Sequence, residues 1–183
     1  TSKFLDGIAY PSLHYGFDFG SHPAAPNMGL HDPGRAALLR RDFQELAQHG
    51  IHSVRLNVFT DGRAGILFDF PTGRRPIGID QKAIVALQNV LAAAKDNNIQ
   101  LNLVMLDHTF AEKLENFSED GKTYDKQGHG DVLSNPQLRR DLFDNVLLPF
   151  LRAIGKNDNV LSVELINEPE ALVQGWSTDT KMV

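Results

Sequence analysis

The 183-residue sequence contains no cysteine, which excludes a disulfide framework and any chemistry that needs a thiolate. It also lacks an apolar run near the ~20 residues that a membrane-spanning helix requires, and no signal peptide is visible at its start. Lysine and arginine form no cluster, and the formal net charge is −5. Because binding to phosphate needs clustered positive charge, the sequence predicts no nucleic-acid partner and no membrane anchoring. These absences do not fix the compartment, and a secreted or periplasmic location stays open.

What the chain does contain is enough apolar sequence for one soluble globular domain, since 42% of its residues are hydrophobic. Four runs are apolar and rich in β-branched residues, with little alternation between polar and apolar positions. Such runs favour parallel strands that helices cover on at least one face. The predicted strands are 5–10, 51–59, 99–106 and 160–166.

Between these runs the apolar residues repeat with helical spacing, so a helix is predicted after each of the first three strands. Asp32 and Asp80 are suitable N-caps for the first two helices. Pro149 lies inside the third helix and has no amide hydrogen to donate, so a kink or break is expected there. The predicted helices are 34–49, about 81–97, and about 135–155.

The alternation of strands and helices predicts parallel strands joined by right-handed crossovers, an order that doubly wound sheets and (β/α)8 barrels share. No G-x-G-x-x-G or Walker lysine motif follows the first strand, which disfavours a nucleotide-binding doubly wound sheet. A barrel carries its active site on the strand-to-helix loops, and these are the long connections here. We therefore predict an α/β fold, the N-terminal half of a TIM-type (β/α)8 barrel with four parallel strands and three connecting helices, as one domain over 1–183. The long loops are 11–33, 60–79 and 107–135.

The strongest chemical signal is Val-Glu-Leu-Ile-Asn-Glu-Pro at 163–169, where the fourth predicted strand ends. Pro169 cannot extend the strand, so Asn167 and Glu168 stand at its carboxyl end. The amide of Asn167 can bind a sugar hydroxyl, and Glu168 stands where a general acid could reach a glycosidic oxygen.

This motif resembles the fourth strand of the retaining (β/α)8 glycoside hydrolases, most closely the family-five cellulases and mannanases. Ser-Val-Arg-Leu-Asn at 53–57 resembles their second strand and Leu-Asp-His at 106–108 the end of their third. Gly-Ile-Ala-Tyr-Pro at 7–11 resembles their first strand, with Ala9 where an asparagine is common. The resemblance implies an enzyme that hydrolyses β-linked glycans such as cellulose or mannan, with a carbohydrate substrate and no cofactor. The catalytic residues that it implies are Glu168 as acid/base, together with Asn167, Arg55 and His108.

Two of these positions keep alternative interpretations. A buried arginine needs a partner, so Arg55 either forms a structural ion pair with Glu164 or orients the catalytic carboxylates. Glu164 lies four residues before Glu168 and therefore on the same face of the strand. At the end of the third strand either Asp107 or His108 faces the cleft, and the resemblance favours His108.

Candidate sugar-binding residues lie near the ends of the first three strands and just beyond the fourth. Aromatic rings can stack on a sugar, although packing within a loop explains these aromatic residues nearly as well. The seven histidines lack the spacing of a zinc site, so no metal is predicted. The candidates are Tyr10, His14, Asn57, Asp107 and Trp176, with Tyr15 and Asp61 as further residues of the same kind.

A retaining glycosidase needs a second carboxylate ~5–5.5 Å from the first, and the resemblance implies a nucleophile on a seventh strand that this sequence lacks. A truncation, a partial sequence and a natural half-barrel that assembles with another copy all stay open. The alternative function is a non-catalytic half-barrel scaffold or a weak carbohydrate-binding module. Half a barrel would expose two sheet edges and an apolar inner face, so we expect self-association or a partner half-barrel.

Overall fold

The computed structural model describes residues 6–70, 72–112, 115–119 and 122–172. Within these ranges strands and helices follow each other in the predicted order, with additional short elements between them. The strands are β1 (Gly7–Ala9), β2 (Ser53–Asn57), β3 (Ile66–Phe68), β4 (Pro76–Ile79), β5 (Gln100–Leu106), β6 (Glu115–Glu119), β7 (Lys122–Gln127) and β8 (Val160–Ile166). The helices are α1 (Pro33–Gln48), α2 (Gln81–Asp96), α3 (Gly130–Ser134), α4 (Pro136–Leu142) and α5 (Leu148–Ile154).

One parallel sheet contains β1, β2, β5 and β8 in that order, which confirms the predicted arrangement of the four main strands. Ala9 is paired with Arg55, Arg55 with Asn102, and Val104 with Glu164. Because the strands are parallel, their carboxyl ends and the loops that follow them meet at one edge of the sheet.

Two hairpins, β3–β4 and β6–β7, lie within segments that were predicted as loops. The turn between β3 and β4 is ordered by Asp69, whose carboxylate accepts hydrogen bonds from the backbone nitrogens of Arg74 and Arg75 at 3.0 and 2.8 Å. Strands of three and four residues are too short for an alternating pattern to stand out in the sequence, which is why β3 and β4 were missed.

The main helices begin and break where the sequence predicts. Asp32 and Asp80 cap α1 and α2, and each carboxylate accepts a 2.9 Å hydrogen bond from a backbone nitrogen of the first turn. The third predicted helix consists of α4 and α5 joined by a π-helical turn, Phe143–Leu147. Pro149 has no hydrogen to donate to the carbonyl four residues earlier, so the expected break is confirmed about one turn before the proline.

The two faces of the sheet differ in polarity. The face toward the helices carries buried apolar residues such as Val54 and Leu103. On the opposite, inner face the side chains of Arg55, Asn102 and Glu164 meet. The expectation of an apolar inner face is therefore wrong where these polar groups pair with one another, although Val104, which is level with Glu164, is apolar and buried. The exposed apolar residues of the sheet lie on the helix side of its edge strands: Ile8, Leu161, Val163 and Leu165.

The loops after β1 and β2 interlock at Gly65. Its φ is +87°, and a β-carbon there would collide with the carbonyl oxygen of Phe19 and lie 2.9 Å from Cδ1 of Phe59. Phe19 and Phe59 both pack edge-on against Phe150 of α5, with ring centroids 5.9 and 5.1 Å apart. The same aromatic cluster thus anchors both loops to the helical segment that follows β5.

Candidate active site

An ion pair lies beneath the carboxyl edge of the sheet. Arg55 donates from Nη2 to Oε2 of Glu164 at 2.6 Å and from Nε to Oε1 at 3.1 Å, and Asn102 also donates to Glu164. The hydrogen bonds from Arg55 hold the pKa of Glu164 below its ordinary value. The two side chains are 33% and 36% exposed, so solvent screens the pair and its net stabilisation is modest. The pair's main effect is to fix the direction of the guanidinium.

The same guanidinium reaches the motif at the end of β8. Nη2 of Arg55 donates to Oδ1 of Asn167 at 2.9 Å, and Nδ2 of Asn167 donates to Oδ1 of Asp107 at 2.9 Å. Arg55 therefore forms the predicted ion pair with Glu164 and also holds Asn167, the residue before Glu168; that it orients the catalytic carboxylates stays a prediction. Because the oxygen of the Asn167 side chain accepts from Arg55 and its nitrogen donates to Asp107, the amide is held in one orientation.

His108 links this network to Glu168. Its backbone nitrogen donates to Oδ1 of Asp107 at 2.7 Å, and its Nδ1 lies 2.8 Å from the same oxygen. Nδ1 also lies 3.2 Å from Oε2 of Glu168, whose side chain is 58% exposed. Of the two residues that end the third main strand, His108 therefore contacts the candidate acid/base, whereas Asp107 is buried behind it.

Asp107 is the junction of the network, and it is held as an anion. Burial alone would raise its pKa, but hydrogen bonds from Tyr15, Asn167 and His108 outweigh that effect and hold the pKa below its ordinary value. Oδ2 accepts from the hydroxyl of Tyr15 at 2.6 Å. No local pattern predicts the contact between Tyr15 and Asp107, because 92 positions separate them.

Two residues near Asp107 have a strained backbone. Glu168 and Thr60 have φ values of +51° and +50°, a left-handed conformation that residues with a β-carbon rarely adopt. The carbonyl of Thr60 accepts a 2.8 Å hydrogen bond from the backbone nitrogen of Asp107. Such a conformation costs on the order of 1–2 kcal/mol per residue and is concentrated at functional sites.

The remaining predicted sugar-binding residues are placed differently. Tyr10 packs edge-on against Phe43 of α1 and donates to Asp42 at 2.7 Å, so it lies on the helix side of the sheet and its placement contradicts a role in the cleft. The alternation of side chains at the end of β1 sends Tyr10 to that side. Asn57 ends β2 on the same face as Arg55, and its buried Oδ1 has no hydrogen-bond partner in the described part of the chain.

His14 is tied into the loop after β1. Its backbone nitrogen donates to Asp18 at 2.9 Å, and its Nδ1 is buried without a hydrogen-bond partner among the described residues. Among the described residues, no hydrogen bond joins His14 to the network around Asp107. Trp176 lies outside the described residues. Asp61 is fully buried and paired with Arg63, so it is not available to a sugar.

Asn102 also belongs to the network, although it is not among the site residues predicted from the sequence. A signal was present, because the asparagine interrupts the apolar run of β5 at the position level with Arg55. In the described part of the chain no group of three or more potential ligands could hold a metal ion. None of the helices within those ranges is long and apolar enough to cross a membrane.

Two buried titratable groups lie in the loops around the site. Asp18 accepts hydrogen bonds from two backbone nitrogens, but burial raises its pKa to about 6. His129 stacks on Phe68 with ring centroids 3.9 Å apart and lies against Phe110, and burial lowers its pKa to about 4. In both groups burial favours the uncharged form, and the consequences for stability have opposite signs.

The signs follow from proton binding. Between about pH 4 and the unfolded value of 6.5, the unfolded chain binds a proton at His129 that the folded chain does not, so stability is lost as pH falls. Between 3.8 and about 6, the folded chain keeps a proton at Asp18 that the unfolded chain releases, so stability is lost as pH rises. Over their common window the two groups offset each other.

We expect Asp18→Asn and His129→Phe to change the pH dependence of stability in opposite directions. Relative to the wild type, the free energy of unfolding should rise more steeply between about pH 4.5 and 6 in Asp18→Asn. It should rise less, or fall, in His129→Phe. Each group accounts for at most about 1.4 kcal/mol per pH unit. Urea unfolding at several pH values measures both slopes, and parallel curves for all three proteins would contradict the assignment.

Comparison with known proteins bears on the fold. No protein-family model and no curated protein sequence matches the chain. The solved β-1,4-D-mannanase from Cryptopygus antarcticus is 20% identical with a TM-score of 0.72, and the match covers 97% of this chain and 43% of the mannanase. The β-mannanase from the blue mussel Mytilus edulis is 18% identical with a TM-score of 0.68, covering 91% and 41%.

A second kind of glycosidase matches less closely. The family 1 β-glucosidase from Thermotoga maritima is 15% identical with a TM-score of 0.51, and the match covers 91% of this chain and 36% of the glucosidase. At these identities the likeness is one of fold. The chain spans about two-fifths of the length of the two mannanases, and its fold is that of half a (β/α)8 barrel.

Proposed function

We propose that this chain supplies the acid/base half of the active site of a retaining glycoside hydrolase, with Glu168 as the acid/base. The observation that carries the proposal is the contact of 3.2 Å between Glu168 and His108, at the end of a connected network that starts at Arg55. Glu168 is the exposed carboxylate of that network, so its oxygens can reach a glycosidic bond.

The other carboxylates of the network are unsuitable as the nucleophile. Glu164 is engaged by Arg55 and Asn102, and Asp107 is buried with donors on both oxygens. A nucleophile must approach the anomeric carbon with a free oxygen ~5–5.5 Å from the acid/base. We therefore assign the nucleophile to strands beyond the fourth, in the remainder of a complete barrel.

In the proposed reaction Glu168 protonates the leaving glycosidic oxygen as the nucleophile attacks, and then removes a proton from the water that releases the sugar. Asn167 is fixed by Arg55 and Asp107 with its amide next to Glu168, where it can bind a sugar hydroxyl. The substrate class that we favour is a β-1,4-linked mannan, because the structures most similar in fold that are described above are mannanases.

The test is hydrolysis of β-1,4-manno-oligosaccharides by the complete protein that carries this chain, with proton NMR of the first product. We expect turnover with retention of the anomeric configuration and a preference over cello-oligosaccharides. Inversion would contradict the two-carboxylate assignment. Binding of oligosaccharide without turnover would instead favour the non-catalytic carbohydrate-binding alternative.

A further inference from the structure

Tyr15 belongs to the loop after β1 but reaches across to the end of β5. Its hydroxyl donates to Oδ2 of Asp107 at 2.6 Å and lies 3.0 Å from Oγ1 of Thr109. Cζ of Arg63 lies 5.9 Å from the centre of the Tyr15 ring, within the range of a cation–π contact. The sequence offers Tyr15 only as a possible sugar-stacking ring, and the proposed chemistry does not use its hydroxyl.

The four hydrogen bonds to Asp107 from Tyr15, Asn167 and His108 are divided unequally between its oxygens. Oδ1 accepts hydrogen bonds from the backbone nitrogen of His108, from Nδ1 of His108 and from Nδ2 of Asn167. Oδ2 accepts a hydrogen bond from the hydroxyl of Tyr15, which is its one donor among the described residues. Without that hydroxyl, one oxygen of a buried carboxylate would lose its partner, and the carboxylate would be free to turn.

His108 has two acceptors for one hydrogen. Nδ1 lies 2.8 Å from Oδ1 of Asp107 and 3.2 Å from Oε2 of Glu168. Hydrogen bonds between a donor and an ionised carboxylate are strong, so the orientation of Asp107 decides which carboxylate receives the hydrogen. A hydrogen given to Glu168 would restrain the oxygen that has to face a substrate.

We propose that Tyr15 is a positioning residue: by fixing the carboxylate of Asp107 it directs the Nδ1 hydrogen of His108 to Asp107 and leaves Glu168 free. The assignment of a benefit to catalysis rests on the proposed function, whereas the direction of the hydrogen does not. Among the described residues the hydroxyl of Tyr15 contacts Asp107 and Thr109, so its effect on Glu168 passes through Asp107 and His108.

The chain offers a matched control. Tyr10 also donates its hydroxyl to an aspartate, Asp42, at 2.7 Å, but on the opposite side of the sheet. Burial, followed by the bonded aspartate, raises the pKa of both tyrosines, so the two hydroxyls are in comparable settings. Tyr15→Phe and Tyr10→Phe therefore remove the same group from equivalent pairs, one inside and one outside the network.

The primary experiment is NMR on the full ¹⁵N-labelled chain, measuring solvent exchange of the Nδ1 hydrogen of His108. We expect exchange at least about tenfold faster in Tyr15→Phe than in the wild type, because the acceptor of that hydrogen is no longer fixed. Tyr10→Phe should leave the rate as in the wild type. Equal rates in Tyr15→Phe and Tyr10→Phe overturn the proposal.

A second variant covers a failure of Tyr15→Phe to fold. Asp107→Asn keeps the size of the side chain and should itself accelerate the exchange, and a slow exchange in a folded Asp107→Asn protein overturns the proposal as well. In the complete enzyme, Tyr15→Phe should lower kcat about tenfold with KM unchanged, and only for substrates with poor leaving groups. If no variant or wild type hydrolyses a glycoside, the proposed function fails, but the exchange rates still decide the role of Tyr15.

Discussion

Glu168→Gln is expected to lower the rate of hydrolysis of manno-oligosaccharides by the complete enzyme about 10²–10⁴-fold, the usual contribution of a general acid. Glutamine has the shape of glutamate but cannot protonate the departing sugar oxygen. Aryl glycosides with activated leaving groups need little protonation, so the first chemical step should survive on them. The second step needs Glu168 as a base, so a glycosyl-enzyme intermediate should accumulate and give a burst of released phenol in stopped-flow measurements.

Glu170→Gln is the control for this variant. Glu170 lies two residues from Glu168 and is exposed. Its substitution removes the same charge from a residue to which no role in the network is assigned. Its rates should equal those of the wild type on both kinds of substrate. An equal loss in Glu168→Gln on activated and unactivated substrates would assign Glu168 a role other than proton transfer.

Gly65→Ala is expected to lower the free energy of unfolding by at least about 3 kcal/mol, the range of the most damaging single substitutions. Two costs add at this position. The φ of +87° is unfavourable for alanine, and the new β-carbon would collide with the carbonyl oxygen of Phe19 and crowd the Phe59 ring. The loops after β1 and β2 would have to separate, and both contribute residues to the candidate site.

Gly50→Ala isolates the first cost. Gly50 has a nearly equal φ of +81°, but a β-carbon there meets no atom within 4 Å. This variant should lose only about 1 kcal/mol, the conformational cost of alanine in a left-handed position. Urea unfolding of the two variants measures the difference directly. Equal losses would show that the loops can separate freely and that Gly65 is needed for its backbone angle alone.

The main framework could be predicted from the sequence because its signals are local. The caps at Asp32 and Asp80, the apolar runs and the break before Pro149 each depend on residues within a few positions of one another. The parallel order of the sheet followed from their succession. The short β3 and β4 strands could not be predicted, because three or four residues carry no usable period.

The candidate site was only partly predictable for a related reason. The need of a buried arginine for a partner suggested the ion pair of Arg55 with Glu164, and the motif at the end of β8 marked Asn167 and Glu168. Tyr10 and Tyr15 differ in this respect. Both are aromatic, both follow β1, and each bonds an aspartate, yet one faces α1 and the other faces the site. Strand alternation at the end of β1 is a local signal that directs Tyr10 to the helix side, whereas the placement of Tyr15 depends on the path of the loop and has no such signal.

The left-handed backbone at Glu168 affects which residues selection would favour at that position. Glycine or asparagine would fit a φ of +51° with less strain, so mutation under selection for stability alone would favour those residues. Under the proposed function, glutamate is retained there because its carboxylate is required. In a descendant of this chain with a purely structural role, we expect glycine to replace glutamate at position 168. That replacement would increase stability and remove the carboxylate that transfers the proton in the proposed reaction.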